Sequence, residues 1–215
     1  MTEISLETCY TIVGSFFKHF EGNFLINFLV GKYYGKRGFR RRLTIQDTMA
    51  LNIYRFYMKI LNLKAFHRFV RRFHRDTFPD FPNYENFLKA TNKSLPLMTV
   101  LVNSVLAKNR ERMRGRKVHF VDSTPVEVCK NSKISRHRVA RGYASRGKST
   151  KGWFFGFKLH GVCTEDMTVE SLMFTTGSVH DSRMAQEVTR DIVGRSFHAQ
   201  CNQKKHEATY IEGTV

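Results

Sequence analysis

Near residue 116 the hydrophobic pattern changes period, and this change restricts the chain to helices first and strands afterwards. Before it, apolar residues recur at helical spacing. Ile53, Phe56, Tyr57, Ile60 and Leu61 share one face, with Thr44 placed as a cap. After a break at Leu61-Asn62-Leu63, the residues Phe66, Phe69, Val70 and Phe73 predict a second helix. Arg68, Arg71, Arg72 and Arg75 lie mostly on its other face, and Pro79 and Pro82 end the segment. Asn83 is placed to cap a short helix over 84–90, and Pro96 to open another that runs to about Lys108. Two arginine-bearing helices joined by a short turn have the outline of a helix-turn-helix. An ordinary helical hairpin with a solvated basic face accounts for the same residues and is the simpler reading.

The second half reads differently. Lys117 to Asp122 is a short apolar run ending in a carboxylate, a strand that Ser123-Thr124-Pro125 is expected to stop. The segments 153–164 and 167–175 are rich in aromatic and β-branched residues and flank Thr164-Glu165-Asp166-Met167, a sequence suited to a tight hairpin. Phe155, Phe157, Leu159 and Gly161 mark one candidate face, with Gly161 its weak point. A helix then starts at Ser178 or at the His180-Asp181 pair. Met184, Val188 and Ile192 form its stripe and Gly194 its C-cap. From Arg195 to Val215 no periodicity stands out. The organisation is α+β: a helical region over 1–116, a strand-and-helix domain over 117–196 and an irregular tail over 197–215.

Charge narrows the partners. The 215 residues hold 36 Lys+Arg against 18 Asp+Glu, a formal net charge of +18. Such an excess points to a polyanion, with nucleic acid first, a membrane surface second and a ribosome-bound role third. With 41% hydrophobic and 25% charged residues the composition is globular rather than disordered. No apolar run approaches the roughly 18 residues of a membrane span, and Glu3 and Glu7 argue against a secretory signal. Cys9, Cys129, Cys163 and Cys201 form no C-x-x-C pair, which fits a reducing cytoplasm.

Between Glu127 and Glu165 there is no acidic residue. Lys130, Lys133, Arg136, Arg138, Arg141, Arg146, Lys148, Lys151 and Lys158 fill that interval, interleaved with serines, glycines and aromatics. Cations with neutral donors suit a phosphate backbone. A loop kept only for solubility would mix both signs. The candidate DNA contacts are therefore Lys130, Arg136, Arg138, Arg141, Arg146, Lys148, Lys151 and Lys158. Gly147-Lys148-Ser149 lacks the remainder of a P-loop, so nucleotide hydrolysis is not supported.

Asp122, at the end of a strand, is a candidate ligand for a hard cation such as Mg2+; a turn-forming Asx residue is the alternative. Asp181 is the next candidate carboxylate, and its alternative is a capping box with Ser178. His160 is placed to face the same site, although a lone strand histidine is more often simply packed. Cys129, His137, His160 and Cys163 lack zinc spacing.

The strings VHFVDSTPVEVCKN (118–131), RHRVARGYASRGKSTKGWFFGFKLHG (136–161) and MFTTGSVHD (173–181) resemble bacterial insertion-sequence transposases of the DDE type, in particular insertion-sequence family nine-eighty-two. The first two, in that order, are fairly specific, and together they cover about a fifth of the chain. The resemblance implies a ribonuclease H-like core that binds Mg2+, cuts double-stranded DNA at transposon ends and joins the 3′-hydroxyl to a target. It implies that the strand ending at Asp122 and the 153–175 hairpin form a three-stranded antiparallel sheet, followed by a helix. Asp122 matches the first metal-binding acid, and Asp181 a position before the helix. The family's second acid in an Asp-x-Gly-Tyr string, and its Glu near Tyr-x-x-Arg-x-x-x-Glu, have no counterpart here, and the sequence departs from the family from about Phe197. The expectation is a truncated, inactive transposase in the nucleoid-associated bacterial cytoplasm, able to bind DNA and to associate with itself or with a full-length copy. A non-catalytic basic DNA- or RNA-binding protein is the alternative.

Overall fold

The computed structural model describes residues 5–34, 42–116, 118–192, 195–198 and 209–211. The chain divides into two compact units at Asn103/Ser104.

The first unit is helical. It contains α1 (Leu6–His19), α2 (Phe24–Tyr34), α3 (Ile45–Tyr57), α4 (Leu63–Phe73) and most of α5 (Tyr84–Arg112). Thr44 caps α3 as expected, in a full capping box with Asp47. Asp47 also accepts a 2.6 Å hydrogen bond from the Tyr10 hydroxyl, which ties α1 to α3. Asn62 caps α4 through the amide of Ala65. The face of α3 differs from the expected one. Met49, Ala50, Leu51 and Tyr54 are buried, whereas Phe56, Tyr57 and Leu61 are exposed. The helix ends at Tyr57 and the chain turns through Lys59 at φ 56°, so Ile60 and Leu61 never join its register. The two helices expected at 84–90 and 96–108 are one helix, α5, which runs through Pro96. A helix-interior proline costs about 3 kcal/mol; the burial of Phe87, Ala90, Leu97 and Leu101 on the same helix offsets it. The Ser94 hydroxyl, two residues before Pro96, donates to the Thr91 carbonyl at 2.8 Å and accepts from Asn52 of α3.

The second unit is a sheet with one helix. Its elements after the end of α5 are β1 (Val118–Cys129), a 3-10 segment (Asn131–Arg136), β2 (Ser145–Ser149), β3 (Gly152–Thr164), β4 (Val169–Thr176), α6 (Asp181–Thr189), β5 (Arg195–His198) and β6 (Thr209–Ile211). β3 pairs antiparallel with β1 along one edge, and with β2 and then β4 along the other. The expected three-stranded antiparallel arrangement is therefore present, with β2 as a fourth strand from within the basic connection. β1 does not stop at Ser-Thr-Pro but continues through Pro125 to Cys129. There it has, among the described residues, a strand partner on one side only, a setting in which a residue without an amide hydrogen is tolerated. Two short strands also lie beyond residue 194. β5 pairs with β1 in parallel, Val118 opposite Arg195 through Val121 opposite His198, and β6 pairs with β5. The segment read as an irregular tail thus supplies sheet edges too short for periodicity to reveal. The expected cap Gly194 and the cysteine Cys201 lie outside the described residues.

α6 covers one face of this sheet. Val121, Val162 and Val188 form the small apolar core between them, with Met173 and Ile192 packed against it. Along β3 the covered side chains are Phe154, Lys158, His160, Val162 and Thr164. The apolar set Phe155, Phe157 and Leu159 lies on the opposite, half-open face. The period of two is as expected, but the face that α6 covers is the more polar one.

Candidate functional site

Asp122 lies on β1 directly opposite Gly161 of β3. Side chains alternate along a strand, so His119, Val121 and Ser123 face α6 while Phe120, Asp122 and Thr124 face the open side. The Asp122 carboxylate is exposed, and its Oδ1 accepts the Ser123 amide at 2.7 Å. Cys163 sits opposite Phe120, two residues from Asp122 along the same face. Burial pushes its thiol pKa up, and the charges of Asp122 and Glu170 add to that shift.

Asp181 opens α6 but forms no capping box with Ser178. The N-cap is His180, whose ring Nδ1 accepts the Ser182 amide. The Ser178 amide goes instead to the Ser145 hydroxyl at 2.8 Å. The Asp181 carboxylate reaches down to the sheet. Its Oδ1 accepts from the Ser123 hydroxyl at 2.9 Å and from the Lys158 ammonium at 3.0 Å. Lys158 also donates to the Val179 carbonyl at 3.0 Å. His160 Nδ1 lies 3.8 Å from Asp181 Oδ1, and its Nε2 is 2.8 Å from the Thr175 hydroxyl. This set clamps α6 onto β1, β3 and β4.

The electrostatics follow from the geometry. Burial works to raise the Asp181 pKa, but hydrogen bonds from Lys158 and Ser123, with the charges of Lys158 and His160, hold it below the usual carboxylate value. Burial lowers the His160 pKa; Asp181 opposes that shift and Lys158 adds to it. Both groups have a lower pKa in the folded chain than when free. Each therefore contributes stability above its ordinary pKa that is lost as pH falls through the folded value. The sheet unit should lose stability on acidification in two stages, first below 6.5 through His160 and then below 3.8 through Asp181. Urea unfolding followed by the fluorescence of Trp153 reads this unit. His160→Gln should flatten the first stage and leave the second.

Asp122 and Asp181 do not converge. Asp181 is bonded to Ser123 on the α6 side, and Asp122 projects from the other side of the same strand. Among the described residues no three His, Cys, Asp or Glu side chains come together as a metal site. β5, the parallel neighbour of β1, carries Arg-Ser-Phe-His and no carboxylate. Asp122 offers one oxygen ligand of the kind Mg2+ takes. Two-metal phosphoryl transfer needs convergent carboxylates, and the described residues do not fit that requirement.

The expected DNA contacts fall into two groups. Lys130, Arg136, Arg138, Arg141, Arg146, Lys148 and Lys151 are all exposed, spread from the residue before the 3-10 segment through the following turns and β2 to the turn that leads into β3. Lys158 is the exception. It is 7% exposed, and its ammonium is committed to Asp181 and Val179, so it is not free to meet a phosphate.

Residues 112–209 match the family described as Transposase DDE domain. Comparison with curated proteins and with solved structures returns no match. That match spans most of the sheet unit. Antiparallel strands followed by a helix, preceded by a separate helical unit, are consistent with a partial ribonuclease H-like domain of this kind, and DNA is the partner that such a domain implies. No helix among the described residues is long and apolar enough to cross a membrane.

One pair escaped the sequence reading. His119 Nδ1 lies 2.7 Å from Glu170 Oε2, with side chains 1% and 3% exposed. The second ring nitrogen of His119 is 3.2 Å from the Arg116 carbonyl, and Arg110 of α5 donates to the Glu170 carbonyl at 2.9 Å. The only signal was a polar residue at a covered position of each strand.

Proposed function

We propose that this chain is an insertion-sequence transposase of the DDE type, of the nine-eighty-two branch, in a form that binds transposon-end DNA without cutting or joining it. It acts in the nucleoid-associated cytoplasm of a bacterium. The observation that carries this reading is the position of Asp122: on β1, open to solvent, in a domain of the DDE family, with Asp181 held on the other face and no acid on β5. Asp122 is the residue that would hold Mg2+, with water filling the remaining positions. One carboxylate does not set two metals about 4 Å apart for in-line displacement. Such a chain occupies the DNA ends that an intact copy uses, and so competes with it.

The test gives purified chain a labelled transposon-end duplex with Mg2+ or Mn2+, alongside an Asp122→Ala control. Retention of the duplex without cleavage is expected from both proteins. Cleavage that disappears in the control overturns the reading of inactivity, and stronger retention of RNA than of DNA overturns the transposase reading.

Salt dependence checks where the DNA lies. Each neutralised phosphate contributes about 0.9 to the slope of log K against log salt. Replacing Arg136, Arg138 and Arg141 together by alanine should therefore reduce the slope by about three, and an unchanged slope would place the contacts elsewhere.

A further inference from the structure

The β2–β3 hairpin carries an unusual surface. Lys148 lies directly opposite Trp153, and Arg146 opposite Phe155. Directly opposed residues share a face, so two cations and two aromatic rings stand together there. It is the same open face that presents Asp122, since β3 alternates without interruption from Trp153 to Gly161. Trp153 is 65% exposed, and the Lys148 ammonium lies 5.9 Å over its ring centroid. The 3-10 segment is fastened beside the hairpin. Asn131 donates to the Trp153 carbonyl at 2.6 Å, and the His137 ring packs 6.4 Å from that of Phe155. Farther along the face, Phe157 and Phe174 stack at 4.9 Å.

An indole left open to solvent serves no packing purpose, and duplex DNA, whose bases are already stacked, has no use for it. Unpaired bases do: proteins that hold single strands combine cations along the backbone with aromatic rings on which bases stack. We propose that Trp153 is a stacking platform for an unpaired nucleotide of the DNA strand, with Lys148 and Arg146 holding the adjacent phosphates. At about 3.3 Å per residue the indole stands roughly 26 Å along β3 from the Asp122 position. An unpaired strand seated on Trp153 then lies on the surface that leads to Asp122. This assignment rests on the DNA-binding reading above and specifies the state of the strand at one end of it.

Trp153 is the only tryptophan in the chain, so its emission reports directly on the ring concerned. The full chain is titrated with a 15-mer of deoxythymidylate and with a 15-base-pair duplex, following intrinsic fluorescence and, separately, the anisotropy of end-labelled DNA. The single strand should quench Trp153 strongly and the duplex weakly. Trp153→Ala should weaken single-strand binding by about ten- to a hundredfold and change duplex binding less than twofold. Trp153→Phe, which keeps a ring, should recover part of the loss. Undiminished duplex binding also shows that the variants are folded. Single-strand binding without quenching, or equal loss on both DNAs, overturns the stacking assignment while leaving the DNA reading in place. Absence of anisotropy change with either DNA overturns both. Tighter binding of a matching RNA 15-mer, or dissociation of an oligomer by Trp153→Ala, also overturns it.

Discussion

Glu170→Ala should destabilise the sheet unit by about 1–3 kcal/mol, the cost of leaving one partner of a buried hydrogen bond unsatisfied. Glu170 and His119 sit 2.7 Å apart with almost no solvent access, one on β4 and one on β1, two strands that are not neighbours in the sheet. Losing the carboxylate leaves an imidazole facing a void, with only the Arg116 carbonyl as partner. The double variant His119→Leu/Glu170→Leu should recover most of the loss, because it leaves no orphaned polar group. Urea unfolding read by Trp153 emission measures both. A loss below about 1 kcal/mol in the single variant would show that water reaches the site and replaces the carboxylate.

Gly156→Ala should cost as much or more. A Cβ at Gly156 would lie 2.1 Å from the Val126 carbonyl oxygen and 3.1 Å from Glu127 Cα, both backbone atoms of β1. No side-chain rotation relieves such a clash. The strands must part where β1 shifts register, between Glu127 and Cys129. Gly156 also pairs with Ser145 of β2, and its carbonyl accepts the Gly177 amide at 3.0 Å, so three strands are disturbed together. The expected loss is at or above the 3 kcal/mol or so at the upper end of ordinary overpacking. Gly31→Ala is the contrasting control. Gly31 lies within α2 with nothing inside 4 Å of the added methyl, and the change should stabilise by about 0.5–1 kcal/mol. The two variants, compared by urea titration, separate steric exclusion from general glycine effects.

The hairpin of β3 and β4 was legible in the sequence because β-branched and aromatic runs flank a turn whose Met167 takes φ 62°. The faces were not. A period of two says which side chains stand together, but not which set the helix will cover. Here the outcome turned on Asp181. By reaching Lys158 and Ser123 it makes burial of a lysine and a histidine tolerable, and α6 settles on the polar side. Ser123 and Asp181 are distant in sequence, so no local spacing announces their bond. The same limit explains α5. Pro96 is a helix-start signal taken alone, and only the apolar side chains packed on either side of it carry the helix through. Asp122 could be placed from its strand, whereas the company it keeps depended on how the strand faces.

The parallel pairing of β1 with β5 also sets an order of events during synthesis. Roughly 75 residues separate the two strands, and ribosomes add about 5–20 residues per second. β1, β3 and β4 can close as hairpins while the start of β1, Val118–Val121, waits several seconds for its parallel neighbour. During that wait it is an open strand edge, the element through which chains exchange segments or aggregate. The yield of folded protein should therefore depend on how crowded nascent copies are, and expression at a lower level favours the correctly folded product.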